Sequence, residues 1–557
     1  MGTSRDPAPT LELLLADASE HRPVLDQGLP ENAANLAPKP DKVPRGVDGM
    51  LLDAPDADPN DLSKQRWGVI HADSEAGRKA FNAIAPLIAW RQRQQEASVK
   101  SWAVPAEMDV QSAFDWKNKV LRSEYLPEHK RPRYLLILGD LNDVSAELGH
   151  VLANGSFVGR IHFDDVEGYA AYAQKVVDWE RGPAKLTSKV VEKAALDFFV
   201  ARDGTKATEQ GQRRLVGPCI TLARRKSRKP FPADVHDPWE DVRGASDLLE
   251  RCRIDRPSVF VSVCHGAGRP QGGWKKPGDE RQLQGALKVG HGASADSLLT
   301  AEQLTGSEPF LPGGIWFAVA CFGAGTPPKS AFYSWLRQLR EAGQYNESVE
   351  QVLESLPKDE EKPFLAALPK AVLQNPNGPL AFFGHLDLAW TCAFTDMDGT
   401  SRASRIFSAL SVLANGNRAG VAHGALMRAY REVNDELLAG YEVEQDGRLG
   451  AASYKPNAPR RARAFMLRND LRGYILLGDP AARLPLAQNW PSIEAKTLPT
   501  VTIPRAPEME QAVLAVLARV GSNREIAAKY GIRVEMLERW VEVYKAAGRA
   551  ALEKMGS

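Results

Sequence analysis

The chain has 557 residues, too many for one hydrophobic core, so several domains of about 100–200 residues are expected. Hydrophobic residues make up 43% and charged residues 25%, the balance of a globular protein rather than a disordered or fibrous one. With 71 basic and 70 acidic residues the net charge is +1, which excludes a chain-wide field for nucleic acid or an anionic membrane and leaves only local contacts.

The start, MGTSRDPAPTLELLLADASEHRP, lacks the basic segment and long apolar run of a signal peptide, and no apolar stretch approaches a membrane span. The five cysteines, Cys219, Cys252, Cys264, Cys321 and Cys392, are few, odd in number and form no CxxC pair, which argues against a disulfide framework and a thiolate zinc site. The cytoplasm, where a thiol stays reduced, is the expected compartment. Residues 1–65, rich in Pro, Asp, Ala and Asn, read as an irregular N-terminal arm. From 66 to 185 the apolar runs RWGVIHAD, SWAVP, RYLLILGD and FVGRIHF alternate with helical periods, which predicts an α/β subdomain on a parallel, doubly covered sheet. The alternation resumes from 186 to 485. There LDFFVAR, CITLAR, SVFVSVCHG, GGIWFAVACFG, PLAFFGHL and YILLGDP read as strands, and a long helical stretch covers 403–440. The fold class is therefore α/β, two subdomains on a mostly parallel sheet with helices on both faces. Five prolines between 485 and 507 mark 486–507 as a linker. Residues 508–557 read as a small all-α module, with a helix-turn-helix break at Gly531.

Reactive groups in an open parallel sheet collect at the carboxyl ends of its strands. Two strands here end on the ingredients of thiol chemistry. His265 precedes Gly266-Ala267-Gly268, and Cys321 precedes Phe322-Gly323-Ala324-Gly325. Glycines let a substrate backbone approach closely. A thiol reaches its nucleophilic form beside a base or a positive neighbour, and histidine supplies either. The pattern nominates Cys321 as nucleophile, His265 as its acid–base partner, and the N–H groups of Gly266 and Cys321 as an oxyanion hole. The plainer reading stands beside it: most cysteines in apolar strands are packing, and most histidines after strands are hydrogen-bonded loop residues.

SVFVSVCHGAG and IWFAVACFGAG resemble the His-Gly and Ala-Cys strand ends of caspase-like cysteine peptidases, and are most similar to the gingipain group, peptidases of the C25-like type. PLAFFGHLDLAW (379–390) resembles the gingipain segment whose tryptophan walls the S1 pocket, which implies that place for Trp390. GYILLGDPAARLP resembles the segment that closes the catalytic domain, and FVGRIHFDDVEGYAAYAQKVVDWE the one that ends the first subdomain. The matches run in family order over about residues 66–485 and leave out the arm and the C-terminal helices. The resemblance implies a caspase–haemoglobinase-like catalytic domain over 186–485. It also implies a Cys-His dyad, a thioester acyl-enzyme, protein substrates and cleavage after Arg or Lys. In such folds the loop after the first core strand supplies the S1 charge. Here Asp203 facing the pocket would select Arg or Lys, Arg202 would select Asp, and a plain Asp203-Gly204 turn is the third reading. The resemblance favours Asp203; Asp279, Asp396 and Asp398 are other acids. Gingipains are secreted and bind calcium, but their calcium ligands find no match here, so no cofactor or metal is assigned and calcium dependence stays open.

SNREIAAKYGIRVEMLERWVEVYKAAGRAAL resembles transposase-type helix-turn-helix units. Residues 507–557 hold eight Lys/Arg and seven Asp/Glu, without the basic excess of a DNA reader, so a protein partner, DNA or a purely structural role all remain. A protease joined to an adaptor-like module suggests regulated proteolysis inside the cell, with bacterial stress or phage defence entering by analogy alone. The alternative from another class is an idle caspase-like scaffold whose helices bind DNA or a partner. Gly323–Ser330 fails as a phosphate loop because Pro328 stands where a glycine is needed. Cys264 and His265 are consecutive on a strand and face opposite ways, which disfavours a zinc site with His291. His385 and His423 read as a satisfied loop histidine and a packing residue. The runs Arg224–Lys229 and Lys358–Lys362 are candidate processing loops.

Overall fold

Every apolar run read above as a strand, except CITLAR, lies in a single ten-stranded sheet. Its order is Lys100–Val104, Trp67–Ala72, Tyr134–Leu138, Phe157–Ile161, Tyr474–Gly478, Ala381–His385, Ile315–Val319, Ser258–Val263, Ala194–Val200 and Ala233–Val235. The computed structural model describes residues 10–39, 57–181, 191–489 and 506–518, apart from short gaps at 26, 226–229, 255, 305, 359–360, 397 and 451–456, and scattered residues from 522 to 544. The chain divides into two compact units, Met1–Trp490 and Pro491–Ser557.

All neighbouring strands run parallel except one pair. Tyr474–Gly478 lies antiparallel to Ala381–His385 and parallel to Phe157–Ile161, so the last strand joins the two α/β halves into one sheet. The join is tight. A Cβ on Gly159 would lie 2.2 Å from the carbonyl oxygen of Gly478, a contact only glycine permits. Just beyond the strand, Asp479 is fully buried and pairs with Arg91 of the helix Ala85–Gln95 (Nη2–Oδ2 2.7 Å). Arg91 also makes two hydrogen bonds to Glu180 of the helix Val166–Arg181, at 2.6 and 2.7 Å. Burial, which alone would raise the Glu180 carboxyl, is outweighed by the Arg91 charge and hydrogen bonds, which hold it down at about 2.

Strand residues alternate between two cores, one on each face of the sheet. Val259, Val261, Ile315, Phe317, Val319 and Cys321 point to one, covered by Ser404–Ala414, Ala419–Arg448 and Ala458–Gly473. Phe260, Trp316, Ala318 and Ala320 point to the other, covered by Glu75–Ala83, Ala85–Gln95, Val166–Arg181 and Ala367–Gln374. Consecutive residues of one strand therefore serve opposite faces, so Cys264 and Cys321 belong to different cores.

Two expectations are corrected. CITLAR is helical, within Gly217–Arg224, and continues the turns that begin at Lys206. A six-residue apolar run has no period that separates a buried strand from one buried helix face, and the next strand, Ala233–Val235, carries only one buried residue. The arm 1–65 is not irregular throughout. Within it Leu11, Leu13, Leu14, Leu15 and Ala16 are at most 1% exposed, and Leu15–Asp17 is a strand. The linker 486–507 lies mostly outside the described residues. In the second unit Ala512, Ile526 and Leu537 form a small core, and Ser522 and Glu525 cap each other reciprocally: Glu525 N–H donates to Ser522 Oγ, and Ser522 N–H to Glu525 Oε2. Among the described residues no helix is long and apolar enough to cross a membrane.

Candidate active site

The strands Ser258–Val263 and Ile315–Val319 are adjacent and parallel, with Val263 opposite Val319. His265 and Cys321 each sit two residues beyond that last pair, so the register alone brings both to one point on the rim of the sheet. Gly266 closes the gap: a Cβ there would lie 1.8 Å from the Cys321 carbonyl oxygen. Phe322, directly after the cysteine, holds φ at +54°, a strained conformation for a bulky residue that turns the chain sharply past the thiol.

The His265 ring is fully buried. Its Nε2 lies 2.9 Å from Thr205 Oγ1 and 3.4 Å from Asp203 Oδ2. Thr205 Oγ1 and Thr208 Oγ1 both donate to Asp203 Oδ1, at 2.8 and 2.7 Å. Because Thr205 spends its proton on Asp203, its oxygen accepts from Nε2–H, which places a proton on that nitrogen. Nδ1 makes no well-formed hydrogen bond among the described residues, although the Leu15 carbonyl lies beside the ring. Burial pushes the ring's basicity down, while the Asp203 carboxylate and the Leu15 backbone beside the ring push it up.

Cys321 is equally enclosed. Its Sγ accepts from the Ala389 N–H at 3.1 Å. Burial drives the thiol well above its ordinary value, opposed by that N–H and reinforced by Asp387 and Asp470. Both carboxyls are themselves raised, Asp387 to about 6 and Asp470 to about 7, by burial first of all. Asp470 accepts from the Trp390 N–H (2.8 Å) and anchors the segment that passes the thiol.

The N–H groups of Gly266 and Cys321 converge on one oxygen, the carbonyl of Leu14, at 2.9 and 3.1 Å. Leu14 belongs to the arm. Upstream of it, Leu14 N–H donates to Ala389 O (3.1 Å), Thr391 N–H donates to Glu12 O (3.1 Å), and Leu13 bridges Trp390 in antiparallel register. Downstream, Leu15–Asp17 pairs parallel with His265–Gly268. An extended peptide thus crosses the rim of the sheet, paired first with Ala389–Thr391 and then with Gly266–Gly268.

The other nominated residues are placed as follows. Asp203 does not face a pocket; its carboxyl is buried behind His265, a correction to the S1 role. The Asp-Gly step is also a turn, but one whose side chain is committed to Thr205, Thr208 and the histidine. Arg202 is exposed, pairs with Glu240 (2.6 Å) and lines an open cleft of about 570 Å³ together with Trp239 and His291. The Trp390 ring is buried against Trp335 and Phe332, and its backbone holds Leu13. His385 is a satisfied core histidine, its Nε2 donating to Asp470 O at 2.8 Å. Sequence reasoning missed Leu14, Thr205 and Asp470. Only Leu14 left a signal, the apolar run LELLLA inside an otherwise polar arm. No group of three or more His, Cys, Asp or Glu stands ready to hold a metal among the described residues.

Asp470 gives a pH test of this packing. Its ordinary value is 3.8 and burial raises it to about 7, so the folded state keeps a proton there that the unfolded chain releases. The stability this confers is complete below 3.8 and is lost as pH rises through about 7. Asp470→Asn removes the titration. Wild-type unfolding free energy, taken relative to that variant by urea denaturation, should fall from about pH 4 to about pH 8 by on the order of 4 kcal/mol. A difference that is flat with pH would show that Asp470 is ionised throughout.

Comparison with known proteins gives three results. A sequence model described as a helix-turn-helix domain matches residues 510–554. No curated protein matches the chain. Among solved structures, gingipain R, described as an Arg-specific cysteine proteinase, is 13% identical with a TM-score of 0.42, over 76% of this chain and 78% of that one. The complex of the Porphyromonas gingivalis gingipain pro- and mature domains is 11% identical with a TM-score of 0.41, over 75% and 79%. A chain described only as a protease is 13% identical with a TM-score of 0.41, over 75% and 77%.

Proposed function

We propose that the first unit is a cysteine endopeptidase acting on protein chains. The observation that carries this is the pair of N–H groups, Gly266 and Cys321, aimed at a single peptide carbonyl at the carboxyl ends of two adjacent strands. Preorganised donors of this kind stabilise the oxyanion of acyl transfer, and removal of one costs about 3–4 kcal/mol of barrier in other enzymes. Cys321 Sγ attacks the carbonyl carbon and its proton passes to His265. His265 then protonates the departing amine and later takes a proton from the water that hydrolyses the thioester. Asp203 and Thr205 act through His265: they hold Nε2–H and fix the ring, which makes Nδ1 the nitrogen that exchanges the proton in this reading.

The test is hydrolysis of a mixed pool of fluorogenic peptides, with and without calcium, by wild type and by Cys321→Ala. Turnover should be present in the first and at least about 1,000-fold lower in the second, and an electrophilic thiol probe should label Cys321 alone. Equal turnover in both proteins would sink the reading. The pool also decides P1. The resemblance to gingipains argues for Arg or Lys, while the commitment of the Asp203 carboxylate to His265 argues against it.

The helix-turn-helix match supports contact with DNA or a partner protein through residues 510–554, and with it the regulated proteolysis suggested by the sequence. Its near-balanced charge predicts weak duplex binding with a shallow salt dependence, measurable by anisotropy from about 50 to 200 mM salt. Tight, steeply salt-dependent binding by a protein without peptidase activity would instead favour the scaffold reading.

A further inference from the structure

The peptide that crosses the site is the chain's own. Residues Glu12 to Asp17 form hydrogen bonds on both sides of a single peptide bond, Leu14–Leu15, in the manner of a strand added to a sheet edge. On one side Glu12, Leu13 and Leu14 lie antiparallel to Ala389-Trp390-Thr391. On the other Leu15, Ala16 and Asp17 pair in parallel with Gly266, Ala267 and Gly268. The carbonyl of that bond lies on the Gly266 and Cys321 N–H groups, and the next carbonyl, that of Leu15, lies beside the His265 ring. One carbonyl satisfies both donors, which is the place the carbonyl of a bond to be cut takes in an oxyanion hole.

We propose that this segment is the enzyme's first substrate: Leu14 occupies the P1 position, and the Leu14–Leu15 bond is the one it cuts. The proposal rests on the peptidase reading and adds to it a substrate, a register and an apolar P1 class. In the reaction a Cys321 Sγ–C bond forms at Leu14 and the thiol proton moves to His265. The Leu14 C–N bond breaks as that proton passes to the Leu15 nitrogen, leaving a free amine. Water then cleaves the thioester and residues 1–14 depart with a carboxylate on Leu14. The new terminus stays anchored, because Leu15–Asp17 remains paired with His265–Gly268 and Asp17 holds the following turn, accepting from the Ser19 and Glu20 N–H groups.

Until the cut, the segment also closes the site. Leu14 and its neighbours are at most 1% exposed, and Cys321 is fully buried beneath them. Uncut protein should therefore resist iodoacetamide at Cys321, and a chain beginning at Leu15 should react at least about tenfold faster, the thiol being returned to water.

The deciding experiment follows the N-terminus of purified full-length protein by intact mass and terminal sequencing, beside Cys321→Ala. The expected result is a new terminus at Leu15 in the wild type and none in the variant. A companion assay offers the peptide Thr-Leu-Glu-Leu-Leu carrying a fluorogenic amide, against the same peptide with Lys or Asp as its last residue. The Leu form should be hydrolysed at least about tenfold faster. Leu14→Lys in the full chain should slow the self-cut to match, and the free peptide keeps the test valid if that variant misfolds. Hydrolysis of the Lys or Asp peptides by a protein whose terminus stays intact, or is cut elsewhere, overturns this inference and leaves the peptidase standing. No hydrolysis of any peptide by the chain beginning at Leu15 overturns both.

Discussion

Gly266→Ala should lower kcat at least about 100-fold while the protein stays folded, because it strikes both oxyanion donors at once. The Cβ it adds would lie 1.8 Å from the carbonyl oxygen of Cys321 and 3.1 Å from the Cys321 nitrogen. Backbone cannot yield the way a long side chain does, so residue 266 or residue 321 has to shift. Either shift takes an N–H off the oxygen that both now share at 2.9 and 3.1 Å. The loss should fall in kcat rather than KM, since the two donors act on charge that develops only in the transition state. Steady-state kinetics on a peptide substrate, with circular dichroism to verify the fold, makes the check. A kcat within about threefold of wild type would remove these two groups from the mechanism.

The largest effect on stability is expected at Arg91. Its guanidinium is fully buried between Glu180 and Asp479, and Asp479 also accepts from the Trp67 indole N–H at 2.9 Å. Removing the cation by Arg91→Met leaves two enclosed carboxylates without their counter-charge, which costs about 3–5 kcal/mol in comparable buried pairs. The contribution of Glu180 should be complete above pH 4.5 and be lost only as pH falls through about 2, because its carboxyl is held low in the fold. Urea denaturation at neutral pH measures the cost. Adding Glu180→Gln and Asp479→Asn to Arg91→Met should recover a substantial part of it, since the desolvated charges go with the cation. A single variant within about 1 kcal/mol of wild type would show that water reaches the cluster.

Much of the fold was legible because a strand buried on both faces must be apolar along its whole length. RYLLILGD, SVFVSV, IWFAV and AFFGH declare themselves for that reason. CITLAR failed the same test, because one apolar face of a helix offers as long a run. The glycines and the Asp479-Pro480 step were visible as well, but the partner of Asp479 is Arg91, 388 residues earlier, and no local pattern carries such a pairing.

His265 and Cys321 were nominated by their position after two core strands, and strand register then brought them to one rim. The sequence carries that much by itself, because periodicity and strand ends are local properties: an α/β sheet, a thiol and an imidazole each followed by glycine, and a separate helical module. The role of Asp203 was decided by tertiary structure. An acid in a turn can face a pocket or a neighbour with equal ease, and only the placement of Thr205, Thr208 and His265 around it determines which. Leu14 was decided the same way. Its run of leucines gives a polar arm one stretch worth burying, but where that stretch is buried depends on the backbone donors left free at Gly266 and Cys321 and on Ala389, residues more than 250 positions away in the chain. Hydrogen bonds between backbone groups leave no mark in side-chain identity, so the occupant of the site becomes readable only once the sheet is assembled.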